Sequence, residues 1–175
     1  MRIIFKQALS NEELDLNKII LGPQPQTKPT ANYFSILYKD GKPFKRFDLY
    51  DQDYYDFNKL YYILNGWIVI CFGNHIHWFN LKSHTIISYN LKNIFSHFWY
   101  FSEIHEYKNN ILIATDEYLC KFDNNSNLIW VSESIAVDGI NINKIDNNII
   151  ECSCEMDPPG GWIEKSINLN TGKIK

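Results

Sequence analysis

The sequence predicts an all-β fold of stacked antiparallel meanders that resembles part of a β-propeller, with little helix. Three observations carry this. Short apolar runs alternate with turn residues and have a period of two, not 3.6. The strand openings Gly66-Trp67-Ile68, Asn110-Ile111-Leu112 and Asn148-Ile149-Ile150 lie 44 and 38 residues apart, the spacing of four-stranded propeller blades. Hydrophobic residues make up 45% of the 175 and aromatics 15%, which excludes a disordered chain and fills one core-bearing domain.

The N-terminal part, residues 1–58, holds the weaker signals. Ser10-Asn11-Glu12-Glu13-Leu14 has the pattern of a capped short helix. Gly22 to Thr30 carries three of the six prolines and reads as a linker or surface loop. Tyr33 to Leu49 fits a hairpin turning at Asp40-Gly41.

Residues 59–175 read as three blade-like units. Tyr61–Leu64 and Trp67–Phe72 flank the hairpin signal Asn65-Gly66, and His75–Asn80 and Thr85–Tyr89 complete the first unit. Leu91 to His97 fits either a helical turn or a link between blades. Ile111–Thr115, Tyr118–Phe122 and Leu128–Val131 form a second meander, and Ile149–Glu155 with Trp162–Leu169 a third. Trp67, Trp130 and Trp162 occupy equivalent places beside turns and are expected to be buried between sheets.

Composition narrows the function. Twenty acids against 17 bases give a net charge of −3, where a general nucleic-acid binder would be basic. Only two Arg are present, against 15 Lys, so bidentate phosphate recognition has little to work with. The start of the chain has no apolar run suited to a signal peptide, and the longest apolar run, Trp67 to Phe72, is too short for a bilayer. A cytoplasmic protein with reduced Cys71, Cys120, Cys152 and Cys154 is the expectation.

No Ser-His-Asp order, nucleophile elbow, phosphate loop or metalloprotease helix occurs, so no catalytic residue is nominated and the chain is expected not to be an enzyme. His75-x-His77 puts two imidazoles on one strand face, a spacing zinc sites use. The simpler reading is a pair of partly buried histidines beside Trp78, hydrogen-bonded within the sheet. Cys152-x-Cys154 reads as small core residues. No cofactor is implied.

Two segments suggest contact with a partner. Asp48 to Phe57 holds Asp48, Asp51, Asp53 and Asp56 with Tyr50, Tyr54 and Tyr55 and no base. Tyrosines offer contact area and carboxylates steer a basic partner, although strand packing also accounts for the aromatics. The Asp116-Glu117 turn and Asp157 are further candidates. Asp157-Pro158-Pro159-Gly160-Gly161-Trp162 is a rigid loop, then a sharp bend, and serves either as a strand connection or as a contact.

Leu128-Ile129-Trp130, Asp138-Gly139-Ile140, Glu155-Met156-Asp157-Pro158-Pro159-Gly160-Gly161-Trp162 and Leu169-Asn170-Thr171-Gly172 together resemble the signature of a group of small bacterial all-β proteins. Some of these look like immunity proteins of toxin systems, including contact-dependent growth inhibition. The resemblance is best over residues 100–172. It departs at Cys154-Glu155, where the group often has Gly-Glu. It implies a cytoplasmic protein that binds and neutralises a cognate toxin, a nuclease with a basic surface, and that contacts neither nucleic acid nor membrane. The alternatives are a propeller-like binding module for another protein or a small ligand, and an enzyme using the histidines or acids.

Overall fold

A computed structural model describes residues 1–24, 31–51, 59–95, 97–157 and 159–175. Strand accounts for 57% of the described residues and helix for 4%, so the fold is all-β. The elements are β1 (Arg2–Lys6), α1 (Asn11–Leu14), β2 (Lys18–Leu21), β3 (Tyr33–Lys39), β4 (Lys42–Leu49), β5 (Leu60–Leu64), β6 (Trp67–Phe72), β7 (His75–Asn80) and β8 (Ile86–Asn90). They continue with β9 (Phe101–Tyr107), β10 (Asn110–Thr115), β11 (Leu119–Asp123), β12 (Leu128–Val131), β13 (Ile140–Asp146), β14 (Ile149–Met156) and β15 (Gly161–Asn168). Leu91–Asn93 forms a single 3-10 turn.

These strands make four separate blade-like sheets, ordered β1-β3-β4-β2, β5-β6-β7-β8, β9-β10-β11-β12 and β13-β14-β15. The three units expected after residue 58 are present, and the N-terminal part adds a fourth sheet at the front. Two of its strands, β1 and β2, carry no turn signal that marks them. β2 runs parallel to β4, so no hairpin announces it. The expected hairpins turn at Asp40-Gly41 and Asn65-Gly66, with both residues at positive φ, as tight hairpins require. Asn147-Asn148 does the same between β13 and β14.

Alternation along the strands stacks the sheets in series. On β6, Ile68, Ile70 and Phe72 pack with Leu37, Phe47 and Leu49 of the first blade, while Val69 and Cys71 pack with Ile111, Ile113 and Phe122 of the third. Leu112, Ala114 and Leu119 on the reverse of the third blade meet Ile140, Ile150, Cys152 and Cys154 of the fourth. Each inner blade is therefore apolar on both faces, which is why period-2 alternation of polarity is weak in this sequence.

The outer face of the first blade is covered differently. Glu13 of α1 is buried there and accepts hydrogen bonds from Lys6 Nζ (2.6 Å), Ser10 N–H (2.8 Å) and Tyr38 Oη. Burial opposes ionisation of Glu13, but these donors outweigh it and hold its carboxyl at about 2.

The tryptophans correct an expectation. Trp67 and Trp130 are part-buried at the blade interfaces, whereas Trp162 is 50% exposed. Register explains it: Trp162 pairs with Glu155 on the face of β14–β15 opposite Cys152 and Cys154, and no blade covers that face.

His77 lies wholly buried, stacked on His75 with ring centroids 5.4 Å apart, and its Nδ1 is 2.8 Å from Ser88 Oγ. Burial, reinforced by His75, pushes its pKa down to about 3 despite Asp51. The unfolded chain therefore takes up the proton first. The resulting stabilisation is complete above the ordinary value of 6.5 and is lost as pH falls toward about 3. Urea unfolding across this window should show stability falling by up to about 1.4 kcal/mol per pH unit, and His77→Asn should flatten the slope.

All four cysteines are free and buried, and burial raises each thiol, Cys120 and Cys152 to about 12. A thiol reagent should label none of them rapidly in the native protein and four in denaturant. Rapid native labelling would show that the blade interfaces open.

Candidate functional site

Blades with an even number of antiparallel strands return the chain to the end at which it entered. The connections between blades thus gather at one end, where β4, β6, β10 and β14 finish. A line of hydrogen bonds crosses this end. The Asp51 carboxylate accepts from Asn74 N–H (2.6 Å), and Asn74 C=O accepts from Leu91 N–H (2.8 Å). Further along, Asp116 N–H donates to Tyr100 C=O (3.1 Å), Ile135 N–H to Glu117 C=O (2.9 Å) and Val137 N–H to Glu155 C=O (2.8 Å). The opposite end carries mostly short, Asn-rich turns.

Asp51, Asp116, Glu117 and Asp157, nominated from separate stretches of sequence, all fall at the connection end. Their environments differ. Asp51 is buried and holds the first blade to the second. Its carboxylate also lies 3.3 Å from His75 Nδ1, and Gly73 sits so close that an added Cβ would come within 2.0 Å of it. Asp116 is fully buried, and its Oδ2 accepts from Trp99 N–H (3.0 Å). Burial raises its pKa. Glu117 is part-buried and Asp157 exposed.

Asp48 and Tyr50 are also buried. Asp48 makes two bonds to the Arg46 guanidinium, at 2.6 and 2.8 Å, on the outer face of the first blade. Burial raises the Tyr50 phenol. Asp48, Tyr50, Asp51 and Asp116 are therefore structural groups, not the surface contacts their composition suggested. Asp53, Tyr54, Tyr55 and Asp56 lie outside the described residues.

Among the described residues, the large exposed aromatics of the connection end lie on the third and fourth blades. Trp99 is 55% exposed and Trp162 50%. Three groups gather around Gly139, at φ +150: a Cβ there would be in ordinary contact with Tyr100 Oη (3.4 Å), the Trp162 ring (3.6 Å) and a Glu155 carboxylate oxygen (3.7 Å). Tyr100 Oη donates to Asp138 C=O. Burial and the Asp138 carboxylate raise the Tyr100 phenol to about 12, so it stays a neutral donor. Asp138 and Asp157 are exposed nearby. The result is a surface of two tryptophans, a tyrosine and several carboxylates. Sequence reading missed Trp99, Tyr100, Asp138 and Glu155, which come together only through the blade 3–blade 4 interface.

The signature segments meet in pairs. Asp138-Gly139 packs on Trp162, and Trp130 donates its indole N–H to Leu169 C=O (3.0 Å) while its ring lies against Gly172. Gly172 is at φ +71, and a Cβ there would come within 2.6 Å of the indole. Among the described residues no group of three or more His, Cys, Asp or Glu is placed to hold a metal ion, and no helix is long and apolar enough to cross a membrane.

Asp51→Ala should lower unfolding stability by about 1.5–3 kcal/mol, the range for hydrogen bonds to a charged group, as read by urea titration at pH 7. An unchanged midpoint would mean that Asp51 does not hold the two blades together. No protein-family model and no curated protein sequence matches the chain.

Proposed function

We propose that the chain is a non-catalytic protein-binding module whose connection-end surface on the third and fourth blades captures a basic partner, and that it acts as an immunity protein neutralising a toxin. The observation that carries this is the convergence of exposed Trp99 and Trp162 with Tyr100, Asp138, Glu155 and Asp157 on one surface. Aromatic groups give contact area at low entropic cost. Carboxylates without neighbouring bases attract Lys and Arg and speed encounter. Among the described residues the basic side chains at this end include Lys59, over the Tyr33 ring of the first blade (4.0 Å), Lys92, and Lys165, whose ammonium is held by Ile135 C=O (2.6 Å). The resemblance of the signature segments to immunity proteins supports the same reading, and a nuclease toxin has the basic surface that such a face fits.

The test is binding to a toxin domain from an adjacent reading frame, followed by calorimetry at low and high salt. Affinity should fall with ionic strength. The Asp138→Asn/Glu155→Gln/Asp157→Asn variant should bind about tenfold or more weakly, roughly 1.4 kcal/mol, with a nearly unchanged melting temperature, since Asp138 and Asp157 are exposed and Glu155 is only part-buried. Equal affinity of the variant and the native chain would overturn this placement of the interface.

A further inference from the structure

The net charge of −3 is unevenly spread. Residues 1–50 carry eight of the 17 bases, both arginines among them, against five of the 20 acids. Residues 97–175 carry six bases against twelve acids. An acidic chain therefore has a basic first blade. Three of its lysines, Lys39, Lys42 and Lys45, sit in or beside the β3–β4 hairpin turn, at the end opposite the blade connections.

The same corner takes in the β7–β8 turn of the second blade. Lys45 Nζ lies 3.5 Å from His84 Nε2 and 5.7 Å from the centre of the Phe79 ring. Lys82 shares the turn with His84. Asn80 fastens that turn, its Oδ1 accepting from Lys82 N–H and Ser83 N–H, both at 2.9 Å.

These lysines are held in place but not neutralised. Among the described residues no carboxylate forms an ion pair with Lys39, Lys42, Lys45 or Lys82. Lys39 and Lys42 are direct partners across the hairpin, and like charges so placed destabilise a sheet. What positions the ammoniums is aromatic. Lys39 Nζ and Lys45 Nζ lie 5.8 and 5.2 Å from the centre of the Phe44 ring. A bulge places that ring: the β3–β4 register passes from Leu37↔Lys45 to Tyr38↔Pro43 and leaves Phe44 without a partner. Bulges re-aim side chains, and this one leaves Phe44 46% exposed between two lysines.

We propose that this corner of the first and second blades binds single-stranded nucleic acid, with phosphates on Lys39, Lys42, Lys45 and Lys82 and one base against Phe44. Phosphates relieve the unpaired ammoniums, and an unstacked base gains from an exposed ring. An acidic peptide would use the lysines and leave the ring idle. The acidic total excludes a chain that coats nucleic acid at large, but not one local patch. The proposal goes beyond the protein-binding reading and does not rest on it, since the two surfaces lie at opposite ends of the blades. It departs from the resemblance, which implies no contact with nucleic acid.

The probe is a fluorescein-labelled oligothymidylate of about ten nucleotides, read by anisotropy with the full chain. Between about 50 and 200 mM salt the affinity should fall with a logarithmic slope of about −2.8, four phosphates at about −0.7 each. Lys42→Gln/Lys82→Gln changes two exposed, unpaired side chains. It should keep the melting temperature and reduce the slope to about −1.4. Phe44→Leu keeps apolar bulk and removes the aromatic face, so it should bind about tenfold more weakly at an unchanged slope. No binding at low salt, an unchanged slope in the lysine variant, or equal affinity of Phe44→Leu would overturn the assignment. So would equal displacement of the probe by polyglutamate, which makes the occupant an acidic peptide, or binding to phosphatidylserine vesicles without binding to the probe. The connection-end triple variant keeps the whole patch and should bind the probe no more weakly than the native chain, so the two surfaces fail separately.

Discussion

The structure depends on the burial of its inner sheets on both faces. A strand such as β6 sends Ile68, Ile70 and Phe72 one way and Val69 and Cys71 the other, all shielded from water. Such a sheet is insoluble alone, since at roughly 25 cal/mol per Å² its exposed faces would cost more than a small domain's net stability. It exists only between neighbours, so the blades form a row, and the two ends of the row need another solution. At the front, α1 lays the buried Glu13 over the first blade, where Lys6 and Tyr38 neutralise and satisfy it. At the back, the outer face of the fourth blade is polar: Asn143 Nδ2 donates to Ser153 Oγ (2.7 Å) and Glu164 Oε2 (3.0 Å), and Ser153 Oγ donates to Glu164 Oε1 (2.7 Å). Trp162 is the large apolar group on that face.

The central strands and their hairpins were legible in the sequence because their signals are local. Asn65-Gly66 and Asp40-Gly41 specify their turns through backbone conformation alone. The strands that escaped, β1, β2, β9 and β13, lie at sheet edges and carry mixed polarity, as in Ser102-Glu103-Ile104-His105-Glu106. β2 also pairs in parallel through a crossover, which leaves no turn to read. The three units after residue 58 show a period because each repeats the same meander, while the first blade reaches four strands by a different path and stays outside the repeat.

The candidate site was legible only in part, for an electrostatic reason. A carboxylate in a sequence reads as solvated unless its partner is visible. Arg46 sits two residues from Asp48, but Asn74 and Gly73 are more than twenty residues from Asp51, and Trp99 is seventeen from Asp116. Density of charge in a segment therefore says little about exposure. Glu117 also accepts from a distant donor, Ser134 Oγ (3.2 Å), yet stays part-buried, and Asp157 is exposed. Asp138 and Glu155 gave no signal in isolation, and their meaning comes from Gly139, around which Tyr100, Trp162 and Glu155 gather.

Chain topology decides where such a surface can form. A four-stranded meander enters and leaves a blade at one end, so the second and third blades both pass the chain on beside Asn74 and Asp116, and the opposite end keeps only tight turns. Most of the connection end is consumed by holding the row together. Asp51 is spent on Asn74 and Asp116 on Trp99, and both are out of solvent. On the fourth blade the face of Trp162 packs against no other described sheet, and Asp157, Trp162 and Ile163 are exposed there. Aromatic surface left exposed by a row of two-faced blades thus lies where no described sheet covers it.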